Sequence, residues 1–179
     1  MVSRAKARGV AVVVALAIGV VVTWLARPEA GVAQAEPGPL VLLDDRDAAK
    51  LRLTTSEWRH VPRIRAIQTG PSITVKNPEV TQYDGVATIE TTSPATLTVT
   101  FADDQSPVDM NTLEISAHKG LFSKSLTAML RPFVHQNALE VSNASIPPGR
   151  FLLEVSIADQ AGNRTDETYR LEVRQGSES

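Results

Sequence analysis

Three histidines, His60, His118 and His135, are the first side chains in this chain that could do chemistry. Imidazole and thioether groups suit copper, so His118 and His135 with Met110 and Met129 form one candidate ligand set. No two of the histidines stand at i+2 or i+4, the spacings that put two ligands on one face of a strand or helix. Surface or loop histidines and core methionines are the simpler reading. Asp103, Asp104 and Asp109 could gather around calcium, but their spacing fits no EF-hand loop, and aspartate also closes turns. Asp159 and Asn163 read as hairpin-turn residues. Cysteine is absent, which excludes disulfides, thiolate zinc and a cysteine nucleophile. Neither a G-x-S-x-G, a P-loop, a G-x-G-x-x-G nor an H-E-x-x-H occurs. The expectation is a non-catalytic protein without cofactor or metal.

Residue types that favour contact are better represented. Between Arg46 and Arg65 lie Lys50, Arg52, Trp58, Arg59, His60 and Arg63. Tryptophan and arginine are enriched in interface cores, which makes Trp58, Arg59, Arg63 and Arg65 the candidate partner contacts. The competing reading packs Trp58 beneath the folded domain and leaves the arginines in water. A second stripe is apolar. Ala11, Ala15, Gly19 and Thr23 recur every four residues, so a helix would carry them on one face and let a neighbouring membrane helix approach closely.

That stripe sits in an uninterrupted apolar run from Gly9 to Ala26, preceded by Arg4, Lys6 and Arg8. As a helix the run would span about 27 Å, close to the hydrocarbon thickness of a bilayer. The basic flank places residues 1–8 in the cytoplasm and the rest outside, with Trp24 near the outer interface. Ala33-Gln34-Ala35 would suit a signal-peptide cleavage before Glu36, but the run is long for a leader, and Arg27-Pro28-Glu29 separates it from that site. An uncleaved transmembrane helix over 9–26 is the expectation. Of the 18 basic residues, four lie at positions 4, 6, 8 and 27, leaving 14 against 20 acidic ones beyond the anchor, a net charge of −6. That balance excludes a nucleic-acid coat and a polybasic membrane patch.

Residues 27–70 read as a linker with short helices. Residues 28–39 are rich in Pro, Gly and Ala. Asp44-Asp45-Arg46-Asp47 opens a helix through Leu51, and Thr54-Thr55-Ser56-Glu57 is a capping box ahead of Trp58. From residue 71 to 174 the apolar period is two. Ile73/Val75, Ala87/Ile89, Leu97/Val99/Phe101, Leu113/Ile115, 125–130, 138–141, Phe151/Leu153/Val155/Ile157 and Tyr169/Leu171/Val173 read as eight strands. Asp84-Gly85 and Ala161-Gly162-Asn163 mark turns, and a loop covers 102–111. The pattern predicts an all-β fold, an antiparallel β-sandwich followed by a short tail at 175–179.

Two segments resemble a known family. Phe101-Ala102-Asp103-Asp104-Gln105-Ser106-Pro107-Val108-Asp109, with Leu113 beyond, is similar to the F-x-D-x-x-S-G-V-D segment of bacterial immunoglobulin-like domains, Pro107 standing where glycine is usual. Ile146-Pro147-Pro148-Gly149-Arg150-Phe151 with Val155, Asp159, Gly162 and Asn163 resembles their L-P-x-G-x-Y…D-x-A-G-N hairpin. The resemblance implies an immunoglobulin-like sandwich over 71–174, of E-set or fibronectin-III-like type, since the antibody cysteine pair is missing. Such domains serve as spacers, adhesion modules or subunit contacts, and the fold alone selects none of them. The expected role is an accessory subunit of a bacterial inner-membrane complex. A photosynthetic or respiratory energy-transducing assembly would be a host, and the partners would be its membrane subunits and the bilayer through 9–26. The alternative is a free-standing anchored or secreted envelope module that binds a glycan, peptide or metal.

Overall fold

A computed structural model of the chain describes residues 38–61, 69–103 and 105–176. The expected anchor with Ala11, Ala15, Gly19 and Thr23 lies outside these residues, as do Arg63, Arg65 and Asp104. Among the described residues no helix is long and apolar enough to cross a membrane.

Alternation of apolar and polar side chains builds two sheets that close on each other. The elements in chain order are β1 (Leu40–Val41), α1 (Asp45–Leu51), α2 (Thr55–Arg59), β2 (Ser72–Asn77), β3 (Val80–Tyr83), β4 (Val86–Ser93), β5 (Ala95–Ala102) and β6 (Val108–Lys119). They continue with β7 (Phe122–Ser125), α3 (Thr127–Leu130), β8 (Val134–His135), β9 (Ala138–Ser145), β10 (Gly149–Asp159) and β11 (Arg164–Gln175). One sheet runs β1-β9-β5-β2 with β8 also on β9; the other runs β3-β4-β11-β10-β6-β7. The links β5→β6 and β9→β10 pass from one sheet to the other, and the result is an immunoglobulin-like β-sandwich. Phe151, Ile157, Val141, Leu113, Leu139 and Leu171 fill the space between the sheets.

The sheets are mixed rather than purely antiparallel. β4 pairs parallel with β11, Thr88 opposite Arg170, and β1 pairs parallel with β9, Leu40 opposite Ala144. Parallel neighbours need a long connection, which strands from opposite ends of a domain supply. Three further differences from the sequence pattern have physical causes. Leu126 and Leu130 are buried on the single turn of α3, not on a strand, because a short apolar run fits either period. β3 forms a hairpin with β4 across Asp84-Gly85, both at positive φ, although only Val80 of its four residues packs on the core and the other three are exposed. The folded unit also begins earlier than residue 71. Leu42, Leu43, Ala48 and Leu51 belong to the main core, so residues 40–61 are a strap rather than a linker.

The register defines two ends. The entry end holds Leu40, the β4–β5 and β6–β7 turns and the start of β10: Ser93 Oγ accepts from the Ile146 amide at 3.1 Å, and Gly149 lies opposite Val173. The far end is closed by the β10–β11 turn. There buried Asp159 accepts from the amides of Ala161 (2.9 Å) and Asn163 (2.8 Å) and from Asn163 Nδ2 (2.8 Å). The Asn163 side chain, helped by these amides, holds the Asp159 carboxyl below the usual carboxylate range. Gly70 fits against this turn; a Cβ there would stand 2.6 Å from the Asn163 carbonyl oxygen.

Two outcomes test this packing. Phe151→Ala is expected to cost about 3–5 kcal/mol in urea unfolding, because the cavity left at the sandwich centre cannot collapse. Since folding depresses the Asp159 pKa, its contribution is present above the ordinary carboxyl range and is lost as pH falls through the folded-state value. Asp159→Asn should therefore destabilise at neutral pH, and the gap to the parent should close below about pH 4. A gap independent of pH would show that the ionised carboxylate is not what closes the turn.

Candidate partner-contact site

The strap places the side chains that the sequence singled out. Asp44 caps α1 by accepting from the Asp47 amide at 2.7 Å, and α1 packs across β6, β7 and β10. The capping box then forms as the sequence predicts: Thr54 Oγ1 accepts from the Glu57 amide at 3.3 Å, and the Thr54 amide donates to Glu57 Oε2 at 2.7 Å. Leu53 just before the cap and Trp58 one turn later belong to one apolar cluster with Val61, Val86 and Leu152. That pairing is a hydrophobic staple, and it fixes the angle at which α2 crosses the outer face of the second sheet. The Leu53 amide donates to the Arg150 carbonyl at 2.8 Å. Two ion pairs hold the strap on the β6–β7 hairpin, Lys124 to Asp47 at 2.8 Å and Lys119 to Glu57 at 3.1 Å. Lys124 lowers the Asp47 pKa, and the Thr54 amide, followed by the Thr54 hydroxyl and Lys119, lowers that of Glu57.

Trp58 is therefore turned inward, with 6% of its surface exposed. The guanidinium carbons of Arg150 and Arg170 each lie 5.4 Å from the centre of its ring, within cation–π range. Arg150 is further fixed by Glu172, whose Oε1 accepts from Nε at 3.2 Å and Nη2 at 3.1 Å. Arg170 is the unusual member. It points to the outer face of β11, yet α2 covers it to 1% exposure. Its Nη1 donates to the Tyr83 carbonyl at 3.2 Å, and its guanidinium lies 6.0 Å from the Tyr83 ring. Its Nε has no hydrogen-bond partner among the described residues.

Above this stack opens a cleft of about 460 Å³, within the range of small-ligand pockets. Trp58 contributes its edge, Thr55 and Arg59 form one wall, and Thr81, Gln82 and the exposed Tyr83 form the other. Glu90, tied to Arg174, and Glu172, tied to Arg150, line the remainder. The apolar void between the sheets is about 70 Å³, too small for a metabolite-sized ligand. Of the expected contacts, the structure brings Trp58 and Arg59 to this cleft, Trp58 as a locked foundation and Arg59 as an exposed rim. Arg150 and Tyr83 join them at the cleft, and Arg170 lies buried against Trp58, without any signal in local spacing.

The candidate ligand sets for metals do not assemble. His118 lies on β6 at the entry end, 3.6 Å from Glu154, while His135 lies on β8 of the other sheet at the far end. Asp103 accepts from the Val108 amide at 2.8 Å across its loop, and Asp109 from the Asn111 amide at 3.0 Å within β6. Among the described residues no three acidic or histidine side chains group together.

No family model matches the chain, and no curated protein does. Solved structures give weak likenesses. CopC from Methylosinus trichosporium OB3b is 13% identical at a TM-score of 0.31, over 49% of this chain and 82% of that one. Murine CRIg is 11% identical at 0.35, over 59% and 99%. The extracellular domain of a hybrid two-component system from B. thetaiotaomicron is 16% identical at 0.29, over 60% of this chain and 16% of that one. At these values neither ligand nor partner transfers from any of them.

The stack separates packing from charge. Trp58→Ala should cost about 3–5 kcal/mol, because it empties the outer cluster. Arg170→Met, which keeps the volume and removes a buried charge, should change stability by no more than about 1 kcal/mol. Denaturant titration of both variants decides; a larger loss for Arg170→Met than for Trp58→Ala would make the guanidinium, not the indole, the fastening.

Proposed function

We propose that the chain is a non-catalytic accessory subunit of a bacterial membrane protein complex. Residues 9–26 hold it in the inner membrane with the N-terminus cytoplasmic, and the sandwich, of E-set or fibronectin-III-like type, makes protein contacts outside. A photosynthetic or respiratory assembly is a fitting host. The observation that carries this reading is the composition of the cleft. Trp, Tyr and Arg are the residues that dominate interface energetics, and here Trp58, Tyr83, Arg59 and Arg150 share one concave surface. Its acidic groups, Glu90 and Glu172, are engaged by arginines rather than poised for proton transfer. The apolar run with its basic flank supports the anchor, and Ala11, Ala15, Gly19 and Thr23 offer a second contact within the membrane.

A second reading draws on the same cleft. The exposed Tyr83 ring stands beside Thr81 and Gln82, an aromatic platform next to hydroxyl and amide groups, which suits a glycan or an extended peptide. On that reading the chain is a free-standing envelope module.

Mild-detergent extraction followed by size analysis separates the two. The subunit reading expects a large co-migrating complex. Arg59→Glu should weaken it from outside, and Gly19→Leu should weaken it by up to roughly tenfold from within, since helix contacts in membranes are worth about 1–2 kcal/mol. A small particle, unaltered by either substitution, would sink the subunit and leave the envelope module.

A further inference from the structure

The two outer strands of the second sheet differ in how their edges are protected. β7 carries Lys124, bonded inward to Asp47, and packs against α1. β3 holds neither lysine nor proline, the residues with which natural sheets blunt an edge, and no described strand pairs with its outer side. Thr81, Gln82 and Tyr83 are all exposed.

The β3–β4 register determines which main-chain groups face that open side. Asp84-Gly85 is a two-residue turn, so Tyr83 and Val86 exchange both ladder bonds, and so do Thr81 and Thr88. Alternation then turns the N–H and C=O groups of Val80 and Gln82 toward the open edge. The side chains alternate as well. Val80 packs on the core, which sends Thr81 and Tyr83 to the outer face, where they form a wall of the cleft. A strand laid along β3 would hold every second side chain over the cleft.

The charges of the cleft select those side chains. Glu90 is engaged by Arg174 and Glu172 by Arg150, whereas Arg59 on the opposite wall has no hydrogen bond or ion pair among the described residues. An acidic side chain meets a free cation there, while a basic one meets that cation and two carboxylates already engaged. Glu79 and Asp84 stand just beyond the two ends of β3, which confines the acidic position to the middle of an added strand. We infer that the cleft takes an extended, acidic segment of a partner protein, added to the sheet as a strand along β3. The inference rests on the reading of the cleft as a protein contact. Main-chain bonds to Val80 and Gln82 set the register, Arg59 sets the preference for a carboxylate, and the exposed Tyr83 ring gives the segment an apolar contact.

The test titrates the isotope-labelled full-length chain in detergent micelles with the peptide acetyl-Thr-Val-Glu-Val-Thr-amide, followed by NMR. The amide resonances of Val80 and Gln82 should shift, and their exchange with solvent should slow by about tenfold at saturation. A peptide with lysine in place of glutamate should bind at least about fivefold more weakly. Arg59→Glu removes the cation, and Gln82→Pro removes one outward N–H at an edge position that proline tolerates; each should weaken binding by about fivefold. The same peptide N-methylated throughout offers no N–H and should not protect β3, which keeps the test independent of whether Gln82→Pro folds. Equal affinity of the glutamate and lysine peptides, or of the methylated and parent peptides, overturns the inference. Absence of any peptide binding also overturns it; if the native complex is then still large and still weakened by Arg59→Glu, the subunit reading stands. If galacturonate oligomers and not the peptide shift Val80 and Gln82, the cleft belongs to a glycan, and the inference fails together with the protein-contact reading.

Discussion

The seating of one indole determines how the N-terminal half of the fold is arranged. Trp58 lies over the outer face of the second sheet with Arg150 and Arg170 against its ring. A sandwich of two sheets already has a core, and its outer faces are ordinarily left to water. Here that rule is set aside on one face, because α2 needs an apolar floor and Leu152, Val86 and the arginine stems provide it. Each cation–π contact is worth about 0.5–2 kcal/mol depending on desolvation, so the pair matters less as bonding energy than as a constraint on where the helix sits. With Trp58 seated, Leu53, the capping box and the two lysine bridges follow in register.

Burying Arg170 is the cost of that arrangement. A guanidinium removed from water loses hydration that two rings and one carbonyl replace only in part, and its Nε is left without a hydrogen bond among the described residues. The compensation is geometric. Arg170 touches Trp58 from the strap and Tyr83 from the β3–β4 hairpin, so it joins two elements that are far apart in sequence and gives the cleft a common floor. Guanidinium is the cation best suited to this place, being planar and weakly hydrated.

What the sequence discloses divides along the same line. The helices at 45–51 and 55–59 are legible because their signals are local: an aspartate cap, a Thr-x-x-Glu box, acidic first turns. The strands with strict alternation, such as Phe151 to Ile157, are legible for the same reason. Arg170, alternating with Leu171, reads as facing outward, and on its own sheet it does. What the pattern cannot carry is that a strap more than a hundred residues earlier returns to cover that face. Trp58 was open to both roles in the sequence, and only the sheet beneath it shows that its ring packs inside the molecule. The β3 hairpin and the helical turn after Leu126 are not legible, because neither has a periodic signal of its own. Of the candidate contacts, Arg59 reaches the cleft rim because α2 is held by Trp58; the stripe at 11–23, Arg63 and Arg65 stand on sequence alone.

The two ends of the sandwich have been made different by these choices. At the far end Asp159 gathers three donors, Asp103 holds the Val108 amide, and Gly70 admits no side chain against Asn163. At the entry end Lys119 is fastened to Glu57 and Lys124 to Asp47, and Leu121 and Phe122 are exposed on the hairpin between them, as are Arg174 and Gln175 at the end of β11. By running from β1, beside β9, around the entry end to the outer face above β10 and β11, the strap joins the first sheet to the cleft on the second.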